Sequence, residues 1–471
     1  MSQLQLVWFR NDLRTLDNTA LTAAAQKGPV VGVFLATRRQ WRDHGHGAGK
    51  ITFIHQGVSE LAKALDALNI PLLYRDIDDF DAAPKALIDI AQEHDVHTLH
   101  FNREYVLNER RRDEAVTERF QQAGIAVHDY TDLIAFEPGD LLTGKDEYYK
   151  VFTPFSKAWH QNVTAEQLLL RETPNRQQKP DVKGDEIPSL PKKDRSSVVD
   201  GEYWPAGEEA AADRLERFLQ ERGKRYEENR NYPAIAGTSE LSAYLSTGMI
   251  SFRQCCQAVM ANNGGHLADG DAGLTSWINE LVWREFYQHI AFGFPRVVVG
   301  RPFQLETENL KWHQNDEAFD AWCQGKTGYP LVDAAMRQLV ATGWMHNRLR
   351  MVTAMFLSKH LLIDWRRGES FFLDHLVDGD FASNNGGWQW AASTGTDASP
   401  YFRIFNPTTQ SQRFDADGEF IATWAPELAD LPAKSRHKPS DDERRATGYP
   451  EAIVDHKRAR ERALEAFKNL A

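Results

Sequence analysis

Across the first 128 residues short apolar runs alternate with helical patterns, and beyond Trp204 strand signals nearly vanish. That switch constrains the fold more than any other feature, because alternation of this kind builds a parallel sheet joined by crossover helices. LQLVWF, PVVGVFLA, IPLLYRDI, HTLHFN and IAVHDY read as strands, residues 18–26 as an alanine-rich helix, and 51–69 as a helix with apolar residues at helical spacing. A doubly wound, Rossmann-like parallel sheet is predicted. Residues 170–203 are rich in Pro, Lys, Asp, Glu and Ser and read as a linker draped over the surface. The expected organisation is α/β over 1–130, an interdomain linker over 131–203, and an all-α domain over 204–471 whose tail after Pro450 is one charged helix.

A chain of 471 residues is long enough for two or three domains. Its net charge of −12 argues against a protein that coats nucleic acid, but is compatible with a local basic groove on an acidic body. MSQLQLVWFRNDLR has no signal-peptide core, and no apolar run reaches the ~18 residues of a membrane span. Cys255, Cys256 and Cys323 suggest no disulfide framework, so a cytoplasmic setting is expected. The first strand runs into RNDLR, so the dinucleotide fingerprint is missing. GHGAGK at 45–50 misses the phosphate-loop pattern, with Ile51 in the Ser/Thr place, and is read as a flexible surface loop. No zinc-spaced Cys/His set or hydrolase motif appears, and no metal is expected.

The densest functional pattern is DGDFASNNGGWQWAASTGTDASPYFRIFNP, 378–407, which reads as loop and short helix. Asp378 and Asp380 flank a glycine, but Ser383 and Gln389 stand where a calcium loop needs Gly and an acid. Asn384 to Gly387 would let the backbone approach something flat and polar, with Trp388 and Trp390 following. In GTSELSAYLSTG, 237–248, Thr238, Ser239 and Ser242 supply hydroxyls and N–H groups at a helix start near Ser239. This is either an anion site suited to a pyrophosphate or a plain N-cap. In 277–287, Ile278, Val282 and Phe286, continued by Ile290, form a buried stripe, and Glu280, Trp283, Arg284 and Tyr287 lie on another face. As a solvated pair Glu280 and Arg284 would contribute only ~0.3–0.5 kcal/mol. A tryptophan between them suits base stacking, with Glu280 accepting from base edges. In 325–357, two helices broken at Gly343 put Asn347, Arg350 and Met351 on one face with Arg348 adjacent; His346 reads as a satisfied structural histidine.

Taken together, WFRNDLR, GTSELS, WINELVWREFY, KTGYPLVDAAMRQL, GWMHNRLRM and the 378–407 segment resemble the DNA photolyase/cryptochrome family, in detail its class I cyclobutane pyrimidine dimer photolyases. The resemblance implies an N-terminal antenna domain, a linker and a helical domain holding FAD, active as FADH⁻. It implies FAD contacts at Tyr226, Thr238, Ser239, Leu241, Ser242, Trp277, Arg284, Asn347, Arg350, Asp378 and Asp380, with Asn384 at flavin N5. Arg350 is expected to pair with Asp378, and Asp380 to accept from the flavin ring. Trp388, Trp365 and Trp312 match the family's electron-transfer chain. Substrate contacts carried over are Glu280, Trp283, Asn347, Arg348, Met351 and Trp390, with Arg230 and Arg403 on the DNA backbone. UV-damaged DNA carrying cyclobutane pyrimidine dimers is the implied partner, and a monomer is expected. Light-excited FADH⁻ gives one electron to the flipped-out dimer, the ring opens, and the electron returns. Asn108 and Glu109 match contacts to a 5,10-methenyltetrahydrofolate antenna, but Val298-Val299 replaces a Cys-Lys pair that contacts the folate.

A cryptochrome photoreceptor is the competing reading, opposed by Asn384 and Trp283. A (6-4) repair enzyme would want a histidine pair where Asn347 stands beside His346. A single-strand-preferring relative of the DASH type and a generic flavin redox enzyme rank lower.

Overall fold

The computed structural model describes residues 3–199 and 203–470. The chain divides into two compact units, Met1–Lys224 with Ser239–Pro295, and Arg225–Thr238 with Arg296–Ala471.

The first unit is built on strands β1 (Leu4–Phe9), β2 (Val30–Ala36), β3 (Leu72–Asp76), β4 (Val96–Asn102) and β5 (Ala126–Tyr130). All pair in parallel, in the order β3-β2-β1-β4-β5. β1 and β2 are buried almost throughout, as a sheet covered on both faces requires. Helices α1 (Thr19–Ala25), α2 (Arg38–Asp43), α3 (Ala48–Ala67), α4 (Ala83–Glu93) and α5 (Leu107–Gln122) connect or extend the strands. Asn18 caps α1 by accepting from the Leu21 amide. The unit also contains α6 (Phe152–Asn162) and α7 (Glu208–Glu221).

The second unit begins with α8 (Tyr226–Asn229). The chain then returns to the first unit for α9 (Ser242–Thr247), α10 (Phe252–Asn262) and α11 (Ala272–Gly293). The rest of the second unit is α12 (Asp316–Cys323), α13 (Pro330–Thr342), α14 (Asn347–Met355), α15 (Trp365–His375), α16 (Phe381–Ala392), α17 (Pro407–Phe414), α18 (Glu419–Trp424), α19 (Ala433–His437), α20 (Asp441–Thr447) and α21 (His456–Lys468). Its core gathers Trp322, Trp365, Trp388, Met336, Met355 and Phe372. Pro330 starts α13 and Gly343, at φ 69°, ends it, so the break expected at Gly343 is a left-handed C-cap.

The compact units do not part at 203/204. A buried ion cluster shows why the later helices belong with the sheet: Arg253 of α10 holds Asp17 at 2.8 Å and Asp132 at 2.5 Å, and Arg14 pairs with Asp132 as well. Breaking one member of such a cluster leaves an uncompensated buried charge. Residues 200–202, within the linker expected over 131–203, lie outside the described residues. Residues 45–50 are not a flexible loop. Gly47 caps α3, and Lys50 is buried, donating to Ser246 Oγ at 2.6 Å. No helix among the described residues is long and apolar enough to cross a membrane.

Candidate active site

In the first unit, α11 carries the densest set of assigned residues. Ile278, Val282, Phe286 and Ile290 are buried as the four-residue spacing predicts. On the other face Trp283 is half-buried and lies flat on Phe152 of α6, ring centroids 3.6 Å apart and planes 6° from parallel. One face of Trp283 is thus occupied by Phe152, a residue that no sequence motif singled out. Arg284 donates to the Leu133 carbonyl at 2.9 Å and, at 3.3 Å, to that of Leu245. Beside it the buried Glu285 accepts from the Ala135 and Phe136 amides, and burial raises its carboxyl to about 7. Trp277 is buried and donates to Ser239 Oγ at 3.2 Å. The helix expected near Ser239 begins instead at Ser242, with Leu241 in the cap position and Glu240 at φ 54°. Leu241 and Ser239 are buried, and Ser242 is exposed.

At the carboxyl ends of β1, β2 and β4 a cavity is lined by Trp8, Arg10, Thr37, Trp41, Glu104 and Glu109, among others. That is where open parallel sheets bind ligands, beside the point at which strand order reverses. Glu109 Oε2 is buried without a hydrogen-bond partner, and burial together with the neighbouring Glu104 raises this carboxyl to about 7. Asn108 does not line the cavity; its amide meets His44 Nε2 at 3.0 Å.

In the second unit, α14 presents Asn347, Arg348, Arg350 and Met351 within two turns. Arg350 donates to Asp378 Oδ2 at 2.7 Å and to the Met345 carbonyl at 2.8 Å, the expected pairing. Asp378 is buried, and its Oδ1 has no partner. An acceptor left open in this way is what a hydrogen-bonding ligand would fill, so this carboxylate fits the flavin nucleotide it is assigned to. His346 caps α14, its Nδ1 accepting from the Arg348 amide. Its Nε2 is buried without a partner, so it is not the fully satisfied histidine expected from sequence. Burial and the surrounding Arg348, Arg350 and Arg230 hold it near 3, hence neutral. Arg348 donates to Asn231 Oδ1 at 2.6 Å and lies over Phe414. Its pKa is lowered by burial and by Arg230 and Arg413, so both of these guanidinium groups repel that of Arg348 and the site favours an anion. Arg230 also covers the ring of the buried Tyr226. Thr238 is half-buried, and Arg403 is exposed.

The 378–407 segment is more regular than expected. Asn384 to Gly387 are the second turn of α16, capped by Asp380, whose Oδ1 accepts from Ser383. Asn384 Nδ2 donates to the Glu369 carbonyl at 3.1 Å, and Asn385 Nδ2 to the Glu369 carboxylate at 2.7 Å. Trp388 and Trp365 are buried, and Trp312 is half-buried against the same core. Trp390 also packs partly buried against that core. The ring contact the structure gives Trp388 with another indole is to Trp322 of α12, centroids 6.0 Å apart, a neighbour the motifs did not suggest.

A parallel α/β sheet in one unit and an all-helical second unit rich in buried indoles are the architecture of the photolyase/cryptochrome class. The family model described as DNA photolyase matches residues 5–177, and the FAD binding domain of DNA photolyase matches 277–469. The chain is 45% identical over 468 residues to the deoxyribodipyrimidine photo-lyase of Escherichia coli, covering 98% of each. It is 42% identical to that of Vibrio cholerae over 476 residues, covering 99% of each. Among solved structures, a bacterial class III photolyase from Agrobacterium tumefaciens superposes with a TM-score of 0.90 at 35% identity, covering 100% of this chain and 98% of that one. A Synechocystis cryptochrome superposes at 0.88 with 29% identity and 99% of both chains covered. The chain belongs to the DNA photolyase family, and its cofactor is FAD.

Proposed function

We propose that the chain repairs cyclobutane pyrimidine dimers in UV-damaged DNA, using near-UV or blue light. The observation that carries the reading is the Arg350–Asp378 pair with its open, buried Oδ1, set just ahead of the helix α16 that carries Asn384. Bound and fully reduced, FAD supplies one electron on excitation. The proposed cofactor contacts are Tyr226, Thr238, Ser239, Leu241, Ser242, Trp277, Arg284, Asn347, Arg350, Asp378 and Asp380, with Asn384 supplying a neutral amide to N5.

Asn347, Arg348, Met351, Glu280, Trp283 and Trp390 receive the flipped dimer. Trp283 offers it a single stacking face, since Phe152 holds the other. Glu280 stabilises the dimer radical anion through a hydrogen bond donated to it, an effect larger in a water-excluded site. Arg230 and Arg403 neutralise phosphates. Trp388, Trp365 and Trp312 relay an electron inward when the enzyme must be re-reduced. The antenna is proposed as 5,10-methenyltetrahydrofolate; Glu109, buried with one oxygen unpartnered, is its strongest contact and Asn108 a weaker one. The protein is further proposed to act as a cytoplasmic monomer.

The test is repair of an oligonucleotide carrying one thymine dimer, with reduced holoenzyme, in blue light and in darkness. Repair in the light alone is expected. Binding without repair would move the assignment to a photoreceptor or to a (6-4) substrate.

A further inference from the structure

Lys359 lies in the π-helical turn Phe356–His360 that follows α14, and its side chain is wholly buried. Its Nζ donates to Ser393 Oγ at 2.8 Å and to the Arg403 carbonyl at 3.1 Å. Among the described residues no carboxylate pairs with it; both partners are neutral oxygens. Burial, reinforced by Arg403, lowers the ammonium to about 7. A buried amine without a counter-ion is costly to hold charged, and an apolar side chain of the same length would avoid that cost. Stability alone does not account for a lysine here. π-Helical turns frequently mark functional sites.

The two acceptors lie near the two ends of one loop. Ser393 is the C-cap of α16, at φ 60°, and its hydroxyl also donates to the Ser399 carbonyl. The Ser399 amide returns to the Trp390 carbonyl at 3.1 Å, and the Arg403 amide to that of Pro400 at 2.8 Å. Inside, the loop is fastened; outside, Tyr401 stacks on Phe467 of α21, centroids 6.0 Å apart, yet stays 42% exposed, and Phe402 is 60% exposed beside Arg403.

We propose that Lys359 is a positioning residue for DNA recognition: its buried ammonium pins residues 393 and 403 together, so that the exposed segment 400–403 meets damaged DNA in a preset shape. This rests on the reading of Arg403 as a DNA contact. A fastened loop has less freedom to lose on binding, which raises affinity without adding a contact.

The test compares holoenzyme carrying Lys359→Met with the parent on three readouts. These are the dissociation constant for a duplex holding one thymine dimer in darkness, repair per absorbed photon at saturating duplex, and amide exchange across 394–403. Affinity should weaken about tenfold, repair per photon at saturation should match the parent, and exchange in the loop should quicken. An affinity within about twofold of the parent's overturns the proposal, as does weaker binding without faster loop exchange. If Lys359→Met does not retain flavin, Ser393→Ala carries the test: weaker binding with a faster loop supports the pin, and parental affinity overturns it. A parent that neither binds nor repairs the dimer overturns the repair reading instead, while loop exchange in the two proteins still decides whether Lys359 fastens the loop.

Discussion

Glu369 sits one turn after Trp365 on α15 and is bonded to both asparagines of α16, by its carbonyl to Asn384 and by its carboxylate to Asn385. Burial raises its carboxyl to about 7, whereas in the unfolded chain it titrates near ~4.3. The folded state therefore holds a proton that the unfolded state has lost. The stability this contributes is full at low pH and disappears as pH rises to 7. Glu369→Gln keeps the shape without the ionisation. In urea melts between pH 5 and 8 it should gain on the parent by roughly 1–3 kcal/mol as pH rises; a pH-independent difference would show that the carboxyl does not titrate as described. Glu280→Ala should lower repair per photon while flavin content stays at the parental level; an unchanged yield would remove Glu280 from the reaction. At this scale sequence exposes some residues and hides others. Arg350 and Asp378 stand out because an acid and an arginine inside long specific motifs announce a pair. Glu369 does not, since its role comes from burial between two helices that sequence alone cannot set side by side.

Helix α16 contains Asn384-Asn385-Gly386-Gly387, poor helix formers, and expecting only loop and short helix here follows from propensity, each internal glycine opposing the helix by ~1 kcal/mol. Tertiary packing overrides that. Asn385 is held by Glu369 and Gln389, and Gly368 of α15 lies so close to the Trp388 ring that a Cβ there would overlap it. Gly368→Ala should destabilise the second unit by about 1–3 kcal/mol, seen as a lower urea midpoint, because the indole has no room to yield. Trp388→Phe should abolish light-driven reduction of oxidised flavin and spare repair by enzyme already reduced; equal photoreduction would take Trp388 out of the relay. On α6, Phe152→Ala should weaken dimer binding about three- to tenfold by freeing Trp283 to tilt, measured as the dissociation constant in darkness. The strands were all legible because short apolar runs between turn residues, spaced by helical patterns, have few other uses. The α6–α11 stack was not, because Phe152 lies within 131–203, the span assigned to a linker, and nothing in the sequence sets it beside Trp283.

At the scale of the whole chain, an acidic protein of net charge −12 is assigned a polyanion as partner. Binding must then come from a local field, such as that of Arg348 with Arg230 and Arg413 beside it. The affinity for dimer-containing duplex should fall with salt, and Arg403→Ala should flatten the log–log slope by about 1, with little change in preference for the lesion. A slope equal to the parent's would remove Arg403 from the phosphate contacts. The two-part character of the chain was visible in its sequence, but the points where its compact units part were not, because Asp17, Asp132 and Arg253 meet only in space. That meeting also sets an order of events during synthesis. β1, the middle of the sheet, leaves the ribosome first, yet cannot be flanked on both sides until β4 emerges some 90 residues later. Once β5 and then Asp132 have followed, the nascent sheet carries Asp17 and Asp132 with Arg14 as their cation in the cluster, and Arg253 is still unsynthesised. The sheet is thus completed by a residue translated long after its last strand, and a ribosome stalled between the two would display five finished strands beside a charge that nothing yet neutralises.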